Sequence, residues 1–268
     1  MNVREAVALL QAAGVASPDH DARALAAHVL GCRLAEVPLK QQSLDQERYD
    51  DLVARRAARV PLQHLIGSVG FRWTEVLVGP GVFVPRPETE SVVEWALPHL
   101  SAGDVVVDLC TGSGAIAKAI ATEVPGTVVH AVELDEGALA WAARNLEGTG
   151  VTLHHCSVLE TPADLDGTVA VVISNPPYVP FSATERMEPE VLDHDPHLAL
   201  FAEDDGLAVI RQVEQVARRL LRPGGLVVVE HDDTQGASAP EVFAGWAEAA
   251  DHEDLTGRPR FVTARWSR

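Results

Sequence analysis

A run of apolar, mostly β-branched residues, Val169-Ala170-Val171-Val172-Ile173, leads directly into Ser174-Asn175-Pro176-Pro177-Tyr178. The run is short and does not alternate, which is the pattern of a strand buried on both faces. Such a strand requires a parallel sheet with helices packed above and below it. Pro176 and Pro177 then end the strand stiffly, because each has a fixed φ and no N–H. Their carbonyls stay available as acceptors without competing donors, and Pro177 biases Pro176 towards an extended conformation. A side-chain amide, carbonyls and an aromatic ring are thereby gathered at the carboxyl edge of a sheet, where open α/β folds bind ligands.

The surrounding sequence fits that sheet. Strands are predicted over 105–109, 127–132, 151–155, 169–173 and 226–230, and helices over 115–123, 135–145 and 205–221. Their alternation indicates a parallel sheet with helices on both faces. A last alternating stretch, 260–266, is predicted as an edge strand. The chain upstream reads differently, with helical spacing over 2–13, 19–31 and 45–60 and stops at Gly14, Gly31 and Pro61. Extended pieces at 71–78 and 82–84, punctuated by glycines, suggest a hairpin. The expected organisation is a helical domain over 1–62, a β-hairpin linker over 63–84 and an α/β domain over 85–268. Arg55, Arg56 and Arg59 form a dense basic group, expected as a solvated helix face, with a contact for an acidic partner as the alternative.

Composition narrows the function. The formal net charge is -18, from 39 acidic and 21 basic residues. Non-specific nucleic-acid binding depends on basic residues that neutralise phosphates, so direct nucleic-acid binding is not expected. Cys32, Cys110 and Cys156 are dispersed, with no C-x-x-C or Cys/His cluster, so neither a disulfide frame nor a metal site is expected. The opening MNVREAVALLQAAG does not read as a signal peptide, and no apolar run reaches membrane length. A cytoplasmic protein, outside the membrane and monomeric, is the expectation.

Two acceptors at the proline corner, the Asn175 side chain and a proline carbonyl, could bind both hydrogens of one –NH2 group. They would favour a pyramidal nitrogen with its lone pair freed from the π system, and Tyr178 could stack on the acceptor's planar face. That chemistry suits alkylation of a planar nitrogen. A plain turn, or a polyproline ligand built on Pro177 and Pro180, is the alternative, but such ligands lie in exposed tails rather than behind a core strand. Gly112-Ser113-Gly114 joins a predicted strand to a helix, where backbone N–H groups can meet an anion. Glu133 lies at the end of the next strand, where a carboxylate can accept ribose hydroxyls. Asp108 ends the first strand, where it could face a ligand amino group or orient the loop. The glycines alone would also fit a nicotinamide cofactor, but no hydride acceptor site with a suitable acid or base stands out. A nitrogen acceptor beside a nucleoside favours S-adenosylmethionine.

Three motifs carry a resemblance: Phe83-Val84-Pro85-Arg86-Pro87-Glu88-Thr89-Glu90, Asp108-Leu109-Cys110-Thr111-Gly112-Ser113-Gly114-Ala115-Ile116-Ala117, and Ser174-Asn175-Pro176-Pro177-Tyr178. In order and spacing they resemble the release-factor glutamine methyltransferases, the HemK/PrmC family. The resemblance implies a Rossmann-like class I S-adenosylmethionine-dependent methyltransferase domain, preceded by a small helical domain that docks the protein substrate. It implies methylation of the side-chain amide nitrogen of the Gln in the Gly-Gly-Gln motif of peptide chain release factors. Carried over, Asn175 and the Pro176 carbonyl hold the Gln amide, Tyr178 packs on it, and the loop Cys110, Thr111, Gly112, Ser113 and Gly114 with Glu133 holds the cofactor. Pro177, Arg86 and Glu90 complete the expected substrate-binding set. The family usually has Gly at the position of Cys110. A ribosomal-protein glutamine methylase, or an adenine-N6 or rRNA methylase, is the alternative reading.

Overall fold

Backbone contacts in the computed structural model, which describes residues 1–267, divide the chain into two units. One is Met1–Ser68 together with Glu188–His194, and the other is Val69–Met187 together with the chain from Asp195 onward. The predicted hairpin therefore falls almost wholly with the larger unit, and a short segment from late in the chain falls with the helical one.

The helical unit contains α1 (Val3–Ala12), α2 (Pro18–Leu30), α3 (Val37–Lys40), α4 (Gln46–Ala57) and α5 (Leu62–Ile66). Asn2 and Glu5 form a reciprocal capping box on α1, and α2 stops at Gly31, whose φ of 58° is left-handed. Leu10, Leu25, Tyr49 and Val53 are fully buried in its core. The basic group on α4 is not a solvated face. Arg56 follows Leu52 and Val53 at helical spacing, which turns it onto the buried side of the helix. There its Nε donates to Asp21 at 2.7 Å and its Nη2 to Glu190 at 2.9 Å. Arg59 pairs with Glu188 and Glu190. Arg55 alone stays exposed, 3.8 Å from Asp51.

The larger unit opens with the hairpin β1 (Ser68–Phe71) and β2 (Thr74–Leu77). It then runs α6 (Thr89–Ala96), β3 (Val105–Leu109), α7 (Ala115–Glu123), β4 (Val128–Glu133), α8 (Glu136–Leu146), β5 (Thr152–His155), β6 (Val169–Ser174) and β7 (Val179–Pro180). After α9 (Pro189–His194), which lies in the helical unit's segment, come α10 (His197–Leu200), β8 (Phe201–Ala202), α11 (Ala208–Leu220), β9 (Leu221–Glu230), α12 (Ser238–Val242), β10 (Ala247–Glu253) and β11 (Pro259–Arg265).

Seven strands form one sheet in the order β10-β11-β9-β6-β3-β4-β5. β3 to β6 and β9 pair in parallel, while β11 is antiparallel to both its neighbours. All of β6 is buried, as its unbroken apolar run requires. The chain builds outward from β3 through β4 to β5, then returns to place β6 on β3's other side. This reversal puts the ligand crevice of the fold at the carboxyl ends of β3 and β6.

Two sequence expectations need correction here. The strand at 260–266 is not an edge: β10 covers it. β10 escaped notice because its sequence, AEAADHE, has no β-branched residue and lies half exposed at the rim. The stretch 82–84 forms no strand, although Val82 and Val84 are buried.

Candidate active site

The loop after β3 is held by two carboxylates. Asp108 is fully buried, and its Oδ2 accepts the Thr111 hydroxyl at 2.5 Å and the Ala117 N–H at 3.1 Å. Burial raises its pKa to about 7 against those hydrogen bonds. Asp108 thus folds the loop onto the start of α7. Glu133, at the tip of β4, accepts N–H bonds from Gly112, Leu134 and Asp135, each at 2.8 Å. Burial raises its pKa too, with the three N–H groups opposing the shift. Gly112 and Gly114 have φ of 58° and 83°. A Cβ built on Gly112 would meet nothing within 4 Å, so open space lies beside that backbone. Ser113 is buried, and its carbonyl accepts the Asn145 side chain at 2.9 Å. Cys110 also has a left-handed φ, 60°, which explains why glycine suits this position.

The corner after β6 is braced from three other segments. Asn175 Nδ2 donates to the Thr89 hydroxyl at 3.1 Å, so α6 reaches the tip of β6. The Tyr178 hydroxyl donates to Glu230 Oε1, at the end of β9, at 2.9 Å. The Tyr178 carbonyl accepts Gln235 Nε2 at 3.1 Å, and that same Nε2 donates to the Asp205 carbonyl at 2.9 Å. Gly206 lies against this carbonyl so closely that a Cβ there would sit 2.0 Å from the Tyr178 oxygen. Glu230 is buried, which raises its pKa to about 7. Pro176 is buried and Pro177 half-buried.

Of the Pro-flanked loop before α6, the residue brought to the corner is Thr89. Arg86 pairs with buried Asp195 at 2.7 Å and stacks over Phe83. Glu90 faces the hairpin, where its Oε1 accepts the Arg72 N–H at 3.1 Å. Neither Thr89, which reads from the sequence as a helix cap within the Phe83–Glu90 motif, nor Glu230, at the end of a predicted strand, is among the site residues the sequence predicts. One signal was available: a carboxylate closing an apolar β run must be partnered if the strand end is buried.

The open backbone at Gly112, the N-terminus of α7 and the Glu133 carboxylate suit a nucleoside carrying a small anionic group. With the sheet order and the Asn-Pro-Pro-Tyr corner, they define a class I S-adenosylmethionine-dependent methyltransferase. Two family models match, the PrmC N-terminal domain over residues 3–67 and the Methyltransferase small domain over residues 75–194. The release factor glutamine methyltransferase of Streptomyces coelicolor is 56% identical over 98% of this chain and 96% of its own. The chain belongs to the release factor glutamine methyltransferases. A 4-amino-L-phenylalanine/4-methylamino-L-phenylalanine methyltransferase of Streptomyces pristinaespiralis is 37% identical over 92% of this chain and 88% of its own. A structure described as a putative rRNA-methylase from Clostridium thermocellum shares the fold, with a TM-score of 0.50 and 17% identity over 68% of this chain and all of that one.

Proposed function

We propose that this protein methylates the side-chain amide nitrogen of the Gln in the Gly-Gly-Gln motif of peptide chain release factors. The observation that carries this is the orientation of Asn175: its –NH2 is spent on Thr89, which leaves Oδ1 as the acceptor for a substrate amide. Asn175 Oδ1 and the Pro176 carbonyl each take one hydrogen of the Gln –NH2. Tyr178 packs on the amide plane, with its hydroxyl tied back to Glu230. S-adenosylmethionine, when bound, supplies an electrophilic methyl group. The loop Cys110–Gly114 and Glu133 hold it, and Asp108 shapes the loop from behind. An amide nitrogen is a weak nucleophile, so positioning and fixed acceptors do most of the work. No base is needed before transfer, because the proton can leave afterwards. Arg86 and Glu90 serve the substrate by fixing the entrance loop.

The enzyme acts as a monomer in the cytoplasm, on a side chain of another protein. A net charge of -18 disfavours a nucleic-acid acceptor, and among the described residues no helix is long and apolar enough to cross a membrane. Incubation with methyl-labelled cofactor and a purified release factor, followed by mapping of the modified residue, tests the reading. Label on the Gly-Gly-Gln glutamine is expected. Label elsewhere, or only on ribosomal protein or RNA controls, would overturn it.

A further inference from the structure

The side chain proposed as methyl acceptor gives the corner little to hold: one amide group on two methylenes, in a motif whose other residues are glycines. A second contact beside the corner is therefore expected, and an exposed pair of stacked rings lies there. Phe181 follows Tyr178 by three residues, at most about 11 Å of chain. It opens a 3-10 turn, Phe181–Arg186, and is 63% exposed. Its ring stacks on that of Phe201, with centroids 5.1 Å apart and planes at 11°. β7 and β8 bring the two together by pairing Val179 with Phe201. The His197 ring meets Phe201 edge-on at 5.4 Å, so the pair is held from a third segment. Lone exposed apolar residues are ordinary on a protein surface, but a braced, stacked pair beside a ligand crevice marks a contact site. Exposed Glu203, Asp204 and Asp205 follow Phe201 closely in the chain, and exposed Glu185 stands on the 3-10 turn. Asp204 is paired with Arg211 at 2.6 Å, whereas among the described residues Glu185, Glu203 and Asp205 make no ion pair.

We infer that this shelf takes a guanidinium side chain that the release factor presents beside its acceptor Gln. An exposed ring face rimmed by carboxylates matches Arg: the planar cation lies on the ring while its N–H donors reach the acids. The protein uses the same arrangement internally, where the Arg86 guanidinium lies 5.0 Å over the Phe83 ring and donates to Asp195 at 2.7 Å. A net charge of -18 draws a basic partner surface towards the shelf. A second copy of this chain would bring one acidic rim against another, which the same electrostatics oppose. The inference rests on the proposed release-factor substrate and deepens it: the corner holds the amide, and the shelf reads a charge beside it. Phe181 thereby serves specificity rather than chemistry, since it touches no reacting atom.

The test uses the full-length enzyme, methyl-labelled cofactor and a purified release factor, with the modified residue mapped. Phe181→Ala should raise KM for the release factor roughly threefold to tenfold, the scale of a lost cation–π contact. Its kcat and its calorimetric affinity for the cofactor should stay within about twofold of the parent. Phe181→Leu keeps apolar surface without the π face and should behave like Phe181→Ala. Glu203→Gln combined with Asp205→Asn should raise KM and flatten the fall of kcat/KM between about 50 and 300 mM salt, where exposed charges are screened. A KM for Phe181→Ala within about twofold of the parent, or an unchanged salt slope in the rim variant, would overturn the inference. So would recovery of KM by Phe181→Leu, because the shelf would then hold an apolar side chain. Self-association of the parent that Phe181→Ala abolishes in sedimentation would overturn it as well, since a second copy would then cover the shelf. If the parent labels the Gly-Gly-Gln glutamine and the variants keep their KM, the shelf alone falls. If the parent labels no release factor, the proposed function falls and the shelf's partner with it.

Discussion

Replacing Glu230 by Gln should make the protein increasingly more stable than the parent as the pH rises. Burial raises the Glu230 pKa from 4.5 to about 7. Tyr178, Thr89 and Arg260 favour its charge and Glu88 opposes it. The folded pKa exceeds the unfolded one, so folding favours the protonated acid. That contribution is fully present below about pH 4.5 and is lost as the pH climbs through about 7. At about 1.4 kcal/mol per unit the full cost of ionisation is roughly 3 kcal/mol, of which on the order of 2–3 develops between about pH 5 and 8. Glutamine never ionises, and its carbonyl still accepts the Tyr178 hydroxyl. Asp108 also has a pKa raised to about 7, but it is present in both proteins and cancels in the difference. Urea unfolding of parent and variant at several pH values measures this directly. The variant should gain on the parent by about 2–3 kcal/mol from pH 5 to 8. A difference that does not change with pH would refute the buried, ionising Glu230 on which the argument stands.

Asn175→Ala should lower kcat by two orders of magnitude or more, the scale of a lost electrostatic stabiliser, while cofactor affinity by calorimetry changes little. Cys110→Gly should be neutral or stabilise by up to about 1 kcal/mol in denaturant, since it relieves a left-handed φ of 60° but adds unfolded-chain entropy. A larger loss would mean that the thiol itself is needed. Gly206→Ala should cost more than about 2 kcal/mol and reduce turnover, because its Cβ would strike the Tyr178 carbonyl from a backbone already at φ 86°. An unchanged melting temperature would contradict that contact.

What was legible in the sequence is what is local. Strand β3 and helix α7 have the predicted limits, because an apolar run and a helical repeat carry their own periods. The glycine loop, Glu133 and the proline corner are each a few contiguous residues whose chemistry lies in the motif. The missed features depend on partners far along the chain. Asn175 meets Thr89 across 86 positions, Tyr178 meets Glu230 across 52, and Arg56 meets Glu190 across 134. Thr89 was visible inside the Pro85–Glu90 motif, but from sequence it reads as a helix start rather than as an arm to β6. Arg56 was visible as one of three arginines, and only its spacing from Leu52 and Val53 distinguished the buried one.

The corner also shows why these distant partners are needed. Proline fixes φ but not position, and it removes the backbone donors by which a turn ordinarily ties itself down. With no N–H on Pro176 or Pro177, anchoring must come from the flanking residues and from outside. Asn175 anchors through its –NH2, and Tyr178 through its hydroxyl and its carbonyl. Each of these bonds spends a donor or closes an acceptor that would compete with a substrate amide. Asn175 keeps its Oδ1, an acceptor, as its unspent end, which is the polarity that the –NH2 proposed as methyl acceptor requires. The same residues that make the turn a poor hydrogen-bond donor make it dependent on α6, β9 and the Gln235 turn for its place.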